Sequence, residues 1–433
     1  MRFTAAGAAS ALGARLRGDD VLIDGVSYDS RALRPGQLFV PIVAKRDGHG
    51  FIEAAIHAGA PAYLTGGPLV AGAPAIEVVD TAAALLRLGA WGRNALEAHT
   101  IGITGSVGKT SVKDLTYSVV SRRYRTAASE KSLNNDLGLP ATILNAPDDS
   151  EALVLEMGMR GFGHIRRLCS VARPTVGAVT RVAAVHTELV GDIEGVARAK
   201  SEIVEGLPPS GFAVLNADDE RVLGMSTATA AQVLTFGLHA GDVRAENVVL
   251  DNMARAGFRL VTPWGSAAVR LGISGIHMAA NAACAATIAL AIGVPLELIP
   301  DGLAAARLSP WRMEVRELAS GAVVINDAYN ASPASVRAAV DTLTRIPARR
   351  RIAVLGVMAE LADPEREHRA VAEYARACGV ELITTGTTWY GVEPVADVIA
   401  ALGALGDGDA VLVKGSRVAG LEQVAARLIE SAG

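Results

Sequence analysis

The segment GITGSVGKTS at residues 102–111 contains the residue types that bind a triphosphate. It follows the apolar run HTIGIT, and its glycines are Gly102, Gly105 and Gly108. The general phosphate-binding loop has a glycine five residues before its Gly-Lys pair, and here that position is Ile103. We predict a strand, a glycine turn and a helix N-terminus whose backbone N–H groups face an anion.

Within this loop, Lys109 is expected to meet the outer phosphates of ATP, and the Thr110 hydroxyl is expected to ligate Mg²⁺. The predicted ATP-binding set also includes Gly105, Ser106, Gly108 and Ser111. An ordinary glycine-rich turn between strand and helix is the alternative. The Gly-Lys-Thr-Ser run directly after an apolar strand favours the nucleotide site.

Two further side chains stand at the ends of neighbouring apolar runs. Glu156 ends ALVLE, and His186 follows GAVTRVAAV. An unpaired carboxylate is costly inside a sheet, so a strand-end glutamate favours function over a structural role, whereas His186 alone is ambiguous. Lys200 lies in IEGVARAKSEIV, whose apolar spacing predicts an amphipathic helix, and the pattern alone predicts a solvated surface lysine.

Composition limits the function classes. The chain has 433 residues, half of them hydrophobic and a fifth charged, with a net charge of -4. This predicts a globular protein with no general affinity for nucleic acid or membranes. Its three separated cysteines indicate reduced thiols, and the uncharged, Ala-rich run at 278–296 predicts a helix buried in protein rather than a membrane span. We expect a cytoplasmic monomer.

Apolar runs alternate with helical patterns along most of the chain, which predicts an α/β fold with three domains. Residues 1–97 form a small α/β unit, with candidate strands in GQLFVPIV and PAYLTG. Residues 98–309 form a central domain with a mostly parallel sheet and an antiparallel excursion around VRAENVVL and AAVRLGI. In residues 310–433 the alternation of apolar strands and helical patterns begins again, with strand candidates in AVVIND, RRIAVLG, ELITTG and AVLVKG. This indicates a Rossmann-like domain.

A series of motifs resembles the Mur ligases in order and across the whole chain. The motifs are TGSVGKTS, EMG, VHTELVGDIEGVARAKSEI, LNADD, GIHMAANAACAA, RMEV, NDAYNASP and VLVKGSR, with DSRALRPGQLF and DGHGFI near the amino terminus. The resemblance accounts for the displaced glycines, because this family's loop has the form T-G-S-x-G-K-T. It implies an ADP-forming ligase that adds D-alanyl-D-alanine to UDP-N-acetylmuramoyl-tripeptide through an acyl phosphate, in peptidoglycan precursor synthesis.

The resemblance also implies roles for residues. Lys109, Glu156, His186 and Lys200 would be catalytic, with Lys200 carrying a CO₂-derived carbamate that makes it a metal ligand. Thr110, Glu156, His186 and Lys200 would then hold two Mg²⁺. Asn281 would contact adenine, and Arg312 and Asp327 would reach the nucleotide from the third domain. The substrate-binding set would be Ser30, Arg31, Asn134, Asn135, Tyr329 and Asn330.

Four positions depart from the family pattern, namely Met278, Trp311, Ser332 and Val357. They leave the amine and carboxylate substrates open. A related ligase with another substrate pair, in secondary metabolism or cofactor synthesis, is the alternative, and a nucleotide-binding protein without catalysis is a third. The intact phosphate and metal residues argue against the third.

Overall fold

The computed structural model describes residues 1–130, 133–184 and 187–430. His186, one of the predicted metal ligands, therefore lies outside the described residues. The described chain forms three main sheets, each covered by helices.

The first sheet has five short strands in the order β2-β7-β6-β5-β4, and β1 pairs with β3 beside it. PAYLTG contains a strand as predicted, whereas GQLFVPIV contains only two strand residues. The strands are β1 Arg2–Thr4, β2 Arg15–Arg17, β3 Leu22–Asp24, β4 Val26–Ser27, β5 Leu38–Phe39, β6 Tyr63–Thr65 and β7 Ala75–Glu77, and the helices are α1 Ala5–Leu12, α2 Ile52–His57 and α3 Thr81–Asn94.

The second sheet has nine strands in the order β16-β15-β14-β13-β12-β11-β8-β10-β9. Neighbouring strands are parallel from β9 to β14 and antiparallel from β14 to β16, which confirms the predicted excursion. The strands are β8 His99–Thr104, β9 Thr126–Ala128, β10 Ala152–Glu156, β11 Val176–Val179, β12 Phe212–Asn216, β13 Gln232–Gly237, β14 Val243–Leu250, β15 Arg255–Thr262 and β16 Gly265–Ser274.

Eight α-helices accompany this sheet in the described part of the chain. They are α4 Lys109–Val120, α5 Gly138–Leu144, α6 His164–Ala172, α7 Thr187–Val190, α8 Ile193–Glu205, α9 Glu220–Gly224, α10 Met278–Ala291 and α11 Ile299–Ala304. The Ala-rich helix α10 packs against α4, and most of its small side chains are buried, as predicted. Across the described residues, no helix is long and apolar enough to span a bilayer.

The third sheet has the order β17-β18-β21-β19-β20 and is parallel except for its edge strand β17. β17 was not predicted, because its half-buried and exposed residues resemble a loop. The helical pattern near residues 395–403 predicts a helix there, and the helix begins only at Val398, because the Asp397 side chain caps its first turn. The strands are β17 Glu314–Glu317, β18 Val323–Asn326, β19 Arg350–Leu355, β20 Glu381–Thr384 and β21 Asp409–Lys414, and the helices are α12 Pro333–Arg345, α13 Pro364–Ala377, α14 Val398–Leu402 and α15 Glu422–Glu430.

Candidate functional site

The glycine loop joins β8 to α4, and its geometry accounts for two of the displaced glycines. Gly105 has φ 149° and Gly108 has φ 87°, both in the region that favours glycine. A Cβ at Gly105 would overlap the Thr180 hydroxyl, and one at Gly108 would lie 2.9 Å from Asn281 Oδ1. The loop is therefore pressed against β11 on one side and α10 on the other, where larger residues do not fit.

Lys109 opens α4 as predicted, at the helix end where backbone N–H groups attract anions. Its Nζ donates to the carbonyl of Gly105 at 2.7 Å. Burial lowers the pKa of Lys109, while the Glu156 carboxylate opposes that shift. The ammonium is thus held inside the loop rather than in bulk solvent.

Glu156 ends β10, which runs parallel to β8, and the register aligns it with Ile103 just before the loop. The carboxylate is only 1% exposed and accepts two hydrogen bonds. Thr110 Oγ1 donates to Oε2 at 2.7 Å, and Asn134 Nδ2 donates to Oε1 at 2.8 Å. A hydroxyl and a carboxylate at this distance are hard oxygen ligands, and they fit Mg²⁺.

Asn135, in contrast, uses its side chain locally. Its Oδ1 accepts the backbone N–H groups of Leu137 and Gly138, which fixes the start of α5. It still lines the same cavity as Asn134. Within the described residues no three His, Cys, Asp or Glu side chains cluster as a metal site.

Lys200 is buried, so the surface position predicted from the pattern alone is wrong. It lies on α8, which packs on β11 and β8, and is 2% exposed. Burial lowers the pKa of Lys200 well below its usual value, and the charge of Lys109 adds to this shift. Val196 and Ile203 are four residues before and three residues after it, so the spacing itself placed Lys200 on the apolar face.

The side chains described so far line one wall of a cavity. Its opposite wall comes from the carboxyl-terminal part of the chain. Asp327 follows β18, accepts the Met313 N–H at 3.1 Å and pairs with Lys414 Nζ at 2.5 Å. Lys414 ends β21 and is 2% exposed. The Arg312 guanidinium lies 4.1 Å from the centre of the Tyr329 ring. Sequence reasoning missed Lys414, although a charged residue ending an apolar strand is the signal that identified Glu156.

These two walls enclose a cavity of about 670 Å³. It brings together fifteen of the predicted site residues, namely Gly105, Ser106, Gly108, Lys109, Thr110, Ser111, Asn134, Asn135, Glu156, Lys200, Asn281, Arg312, Asp327, Tyr329 and Asn330. Ser30 and Arg31 do not line it, and the exposed Arg31 side chain pairs with Asp29. The cavity also includes Arg160, His164, His277, Glu360 and Lys414, which were not predicted.

Comparison with known proteins agrees with this arrangement. The Mur ligase middle domain matches residues 103–289, and the Mur ligase glutamate ligase domain matches residues 311–417. A relative from Escherichia coli (strain K12), UDP-N-acetylmuramoyl-tripeptide--D-alanyl-D-alanine ligase, is 37% identical over 97% of both chains. The chain belongs to the Mur ligase family.

Other Mur ligases extend the match. The ligase of the same name from Mycobacterium tuberculosis (strain ATCC 25618 / H37Rv) is 38% identical over 93% of this chain and 92% of its own. A crystal structure of MurF from Acinetobacter baumannii superposes with a TM-score of 0.87 at 30% identity, covering 99% of both chains. A crystal structure of MurF ligase from Thermotoga maritima in complex with ADP superposes with a TM-score of 0.83 at 25% sequence identity. The match covers 94% of this chain and 97% of that chain.

Three of the four departures from the Mur ligase pattern, Trp311, Ser332 and Val357, have defined local surroundings. Trp311 has φ 61°, in the left-handed region that glycine adopts most readily, and the Arg417 guanidinium lies 4.3 Å from its ring centre. Ser332 forms a capping box with Ser335 at the start of α12, which serine does as well as asparagine. Val357 contributes its carbonyl, which accepts the Ser416 N–H.

Proposed function

We propose that this chain is an ATP-dependent, ADP-forming ligase that adds D-alanyl-D-alanine to UDP-N-acetylmuramoyl-tripeptide. The observation that supports it is the single cavity in which Lys109, Thr110 and Glu156 face Arg312 and Asp327. The relatives' names give the substrates. A carboxylate is a poor acceptor for an amine, so the reaction needs activation by a phosphoryl group before the amide forms.

The side chains of the cavity suit that transfer. Phosphoryl transfer spreads negative charge over the equatorial oxygens, and preorganised cations stabilise it without reorganisation. Lys109 lies at the helix N-terminus, and Arg312 approaches from the opposite wall. Closure of the two walls around bound substrates would exclude bulk water, which would otherwise hydrolyse the acyl phosphate.

Two Mg²⁺ ions are proposed to bind near Glu156. Thr110 and Glu156 supply hard oxygen ligands there, and His186 is proposed as a further ligand from the family resemblance. When bound, such ions supply Lewis-acid stabilisation of the transferring phosphoryl group.

Lys200 is proposed to carry a carbamate formed with CO₂. An ammonium repels a cation, whereas a carbamate presents carboxylate-like oxygens. Carbamate formation requires the neutral amine, and the burial that lowers the pKa of Lys200 favours that form. As pH falls through the lowered pKa, the amine protonates and the carbamate is lost, so activity should fall on the acid side.

The other assignments follow the family. Asn281 lies at the glycine loop, where it is proposed to contact adenine. Residues 1–97, with Ser30 and Arg31, are proposed to bind the uridine nucleotide, residues 98–309 to bind ATP, and residues 310–433 to receive the amine. Asn134, Asn135, Tyr329 and Asn330 are proposed substrate contacts.

We expect ADP and phosphate to be released only when both a carboxylate and an amine are supplied with ATP and Mg²⁺. UDP-N-acetylmuramoyl-tripeptide with D-alanyl-D-alanine is the pair to test first, in a phosphate-release assay over a matrix of acids and amines. Turnover with a non-UDP acid, and none with that pair, would replace the cell-wall function with the alternative ligase.

We also expect the protein to become more compact when ATP and the UDP substrate bind together. Lys109 and Asn281 stand on one wall of the cavity and Arg312 and Asp327 on the other, so a nucleotide that contacts both draws them together. Small-angle scattering should show a smaller radius of gyration with both ligands than with either alone. An unchanged radius at saturating ligand would argue against closure.

A further inference from the structure

A short linker, residues 305–313, carries the chain from the central sheet to the third sheet. It follows α11, which ends at Ala304, and precedes β17, which begins at Glu314. Arg312 belongs to this linker and lines the cavity. The conformation of the linker therefore decides where the Arg312 guanidinium lies relative to the phosphate-binding loop.

The central-domain end of the linker is held by an aspartate of α4. Asp114 Oδ2 accepts the Ser309 N–H at 2.7 Å, and Asp114 Oδ1 accepts the Ser309 hydroxyl at 3.1 Å. The Asp114 side chain is 11% exposed. Hydrogen bonds to an ionised acceptor are stronger than those between neutral groups. A carboxylate that accepts both donors of one residue therefore fixes the position and the orientation of that residue.

The same aspartate is part of the framework that carries the phosphate and metal residues. Lys113 Nζ pairs with Asp114 Oδ1 at 2.8 Å and donates to the Ser129 carbonyl at 2.8 Å. The Ser129 hydroxyl in turn accepts the Glu156 N–H at 3.3 Å. Lys113 and Ser129 are both buried. Ser309 is therefore fixed relative to the helix that follows the phosphate-binding loop and to the strand that ends at Glu156.

The third domain holds the linker from two residues later. The Trp311 carbonyl accepts the Tyr329 N–H at 3.1 Å, and the Met313 N–H donates to Asp327 Oδ1 at 3.1 Å. Trp311 and Met313 have φ of 61° and 47°, in the left-handed region, where residues other than glycine persist only when their surroundings hold them. Arg312 lies between these two anchors and so moves with the third domain.

Pro310 stands between the two sets of anchors and is exposed. Proline fixes its own φ and restricts the residue before it to extended conformations, so few bonds of this segment rotate freely. Hinges between domains are typically a few such residues, which absorb the change in backbone angles. The geometry predicts a hinge at residues 309–311 whose fixed end is held by Asp114.

We propose that Asp114 is a positioning residue of the ligase, which fixes the hinge through Ser309 and so directs Arg312 into the cavity. This rests on the proposed function, in which Arg312 reaches the nucleotide as the domains close. With the hinge end fixed, rotation about residues 309–311 brings the guanidinium to the same place in every turnover. With the hinge end loose, the third domain closes in several orientations, and only some of them bring Arg312 to the phosphoryl group.

The first test is Asp114→Ala, which removes both acceptors of Ser309. We expect kcat to fall about 10- to 100-fold, because misplacing a group that acts in the transition state by about 1 Å costs roughly 100-fold. The KM for ATP should stay within about threefold, because the phosphate-binding loop is unchanged. Asp301→Ala, which removes an exposed aspartate on α11 of the same domain, is the matched control and should change neither value.

A double-mutant cycle separates positioning from a merely structural role. If Asp114 acts through Arg312, Asp114→Ala should lower kcat by less than about twofold in an Arg312→Ala background, because the group that it positions is already absent. Losses that multiply in the double variant would show that the aspartate acts by another route, and they would overturn the inference.

A smaller change guards the test against misfolding. Ser309→Ala leaves the Lys113–Asp114 pair in place and should lower kcat about 3- to 10-fold, the effect of one lost hydrogen bond. Ser118→Ala is its matched control, because the Ser118 hydroxyl donates from α4 to the Gly302 carbonyl at 2.7 Å, within the central domain. This control loses a comparable hydrogen bond and should keep the wild-type kcat.

Trypsin provides a readout that needs no substrate. Arg307 is an exposed residue of the linker, and trypsin cleaves after it when the surrounding chain opens. Cleavage there should be about fivefold or more faster in Asp114→Ala and Ser309→Ala than in wild type or Ser118→Ala, with no change at other cleavage sites.

An unchanged kcat in Asp114→Ala, or an unchanged rate of cleavage after Arg307, would overturn the inference while leaving the ligase function intact. Wild type that does not join the UDP-linked tripeptide to the dipeptide would instead contradict the proposed function. The cleavage rates do not depend on that reaction, so the two failures are distinguishable.

Discussion

Lys200→Ala is expected to lose about 1000-fold or more in turnover while keeping the fold. Removing a metal ligand from the reaction site costs several kcal/mol of transition-state stabilisation, and each 1.36 kcal/mol is tenfold in rate. Turnover should be measured with saturating substrates, alongside the thermal unfolding temperature. The matched control is Lys45→Ala, which removes an exposed lysine and should leave turnover unchanged.

The carbamate makes a distinctive rescue test possible. A short carboxylic acid such as acetate or propionate should restore part of the activity of Lys200→Ala, because it supplies the missing oxygen ligands in the space left by the side chain. Bicarbonate should raise the activity of CO₂-depleted wild type and have no effect on the variant. A fully active Lys200→Ala would end the carbamate hypothesis and reduce the proposed ligands to Thr110, Glu156 and His186.

Lys109→Met is expected to reduce turnover by about 10³-fold or more, comparable to removing a cation from other phosphoryl-transfer sites. Methionine keeps most of the aliphatic length but carries no charge, so the phosphate oxygens lose their partner at the start of α4. The loss should appear in kcat at saturating ATP, measured by phosphate release. Because Lys109 is a partly buried cation whose pKa is lowered by desolvation, its removal should not lower the unfolding temperature by more than a few degrees.

Lys109→Arg is the companion variant. A planar guanidinium has a different shape from a compact ammonium and does not replace it at a crowded site. Arginine should therefore restore little activity, although it restores the charge. Wild-type turnover in Lys109→Met would show that the loop binds no reacting phosphate.

Several elements were predictable because they depend on local pattern. Buried parallel strands appear as short apolar runs, so β8, β10, β11 and the parallel strands after residue 322 could be placed from sequence. The glycine loop and Glu156 were identifiable for the same reason, since both follow directly from a strand end. Edge strand β17 was missed, because its residues are half exposed and lack an apolar run.

The sequence by itself determined the succession of strands and helices along the chain, the phosphate-binding loop, and the types of side chain available to the site. The tertiary structure alone decided that Asn281 of α10 presses on Gly108, that Lys414 pairs with Asp327, and that Glu360 is held in a left-handed conformation. These contacts join residues far apart in the chain, and no local periodicity encodes them. Burial of Lys200 depended on both, because its helical spacing placed it on the apolar face while packing of α8 on the sheet removed it from water.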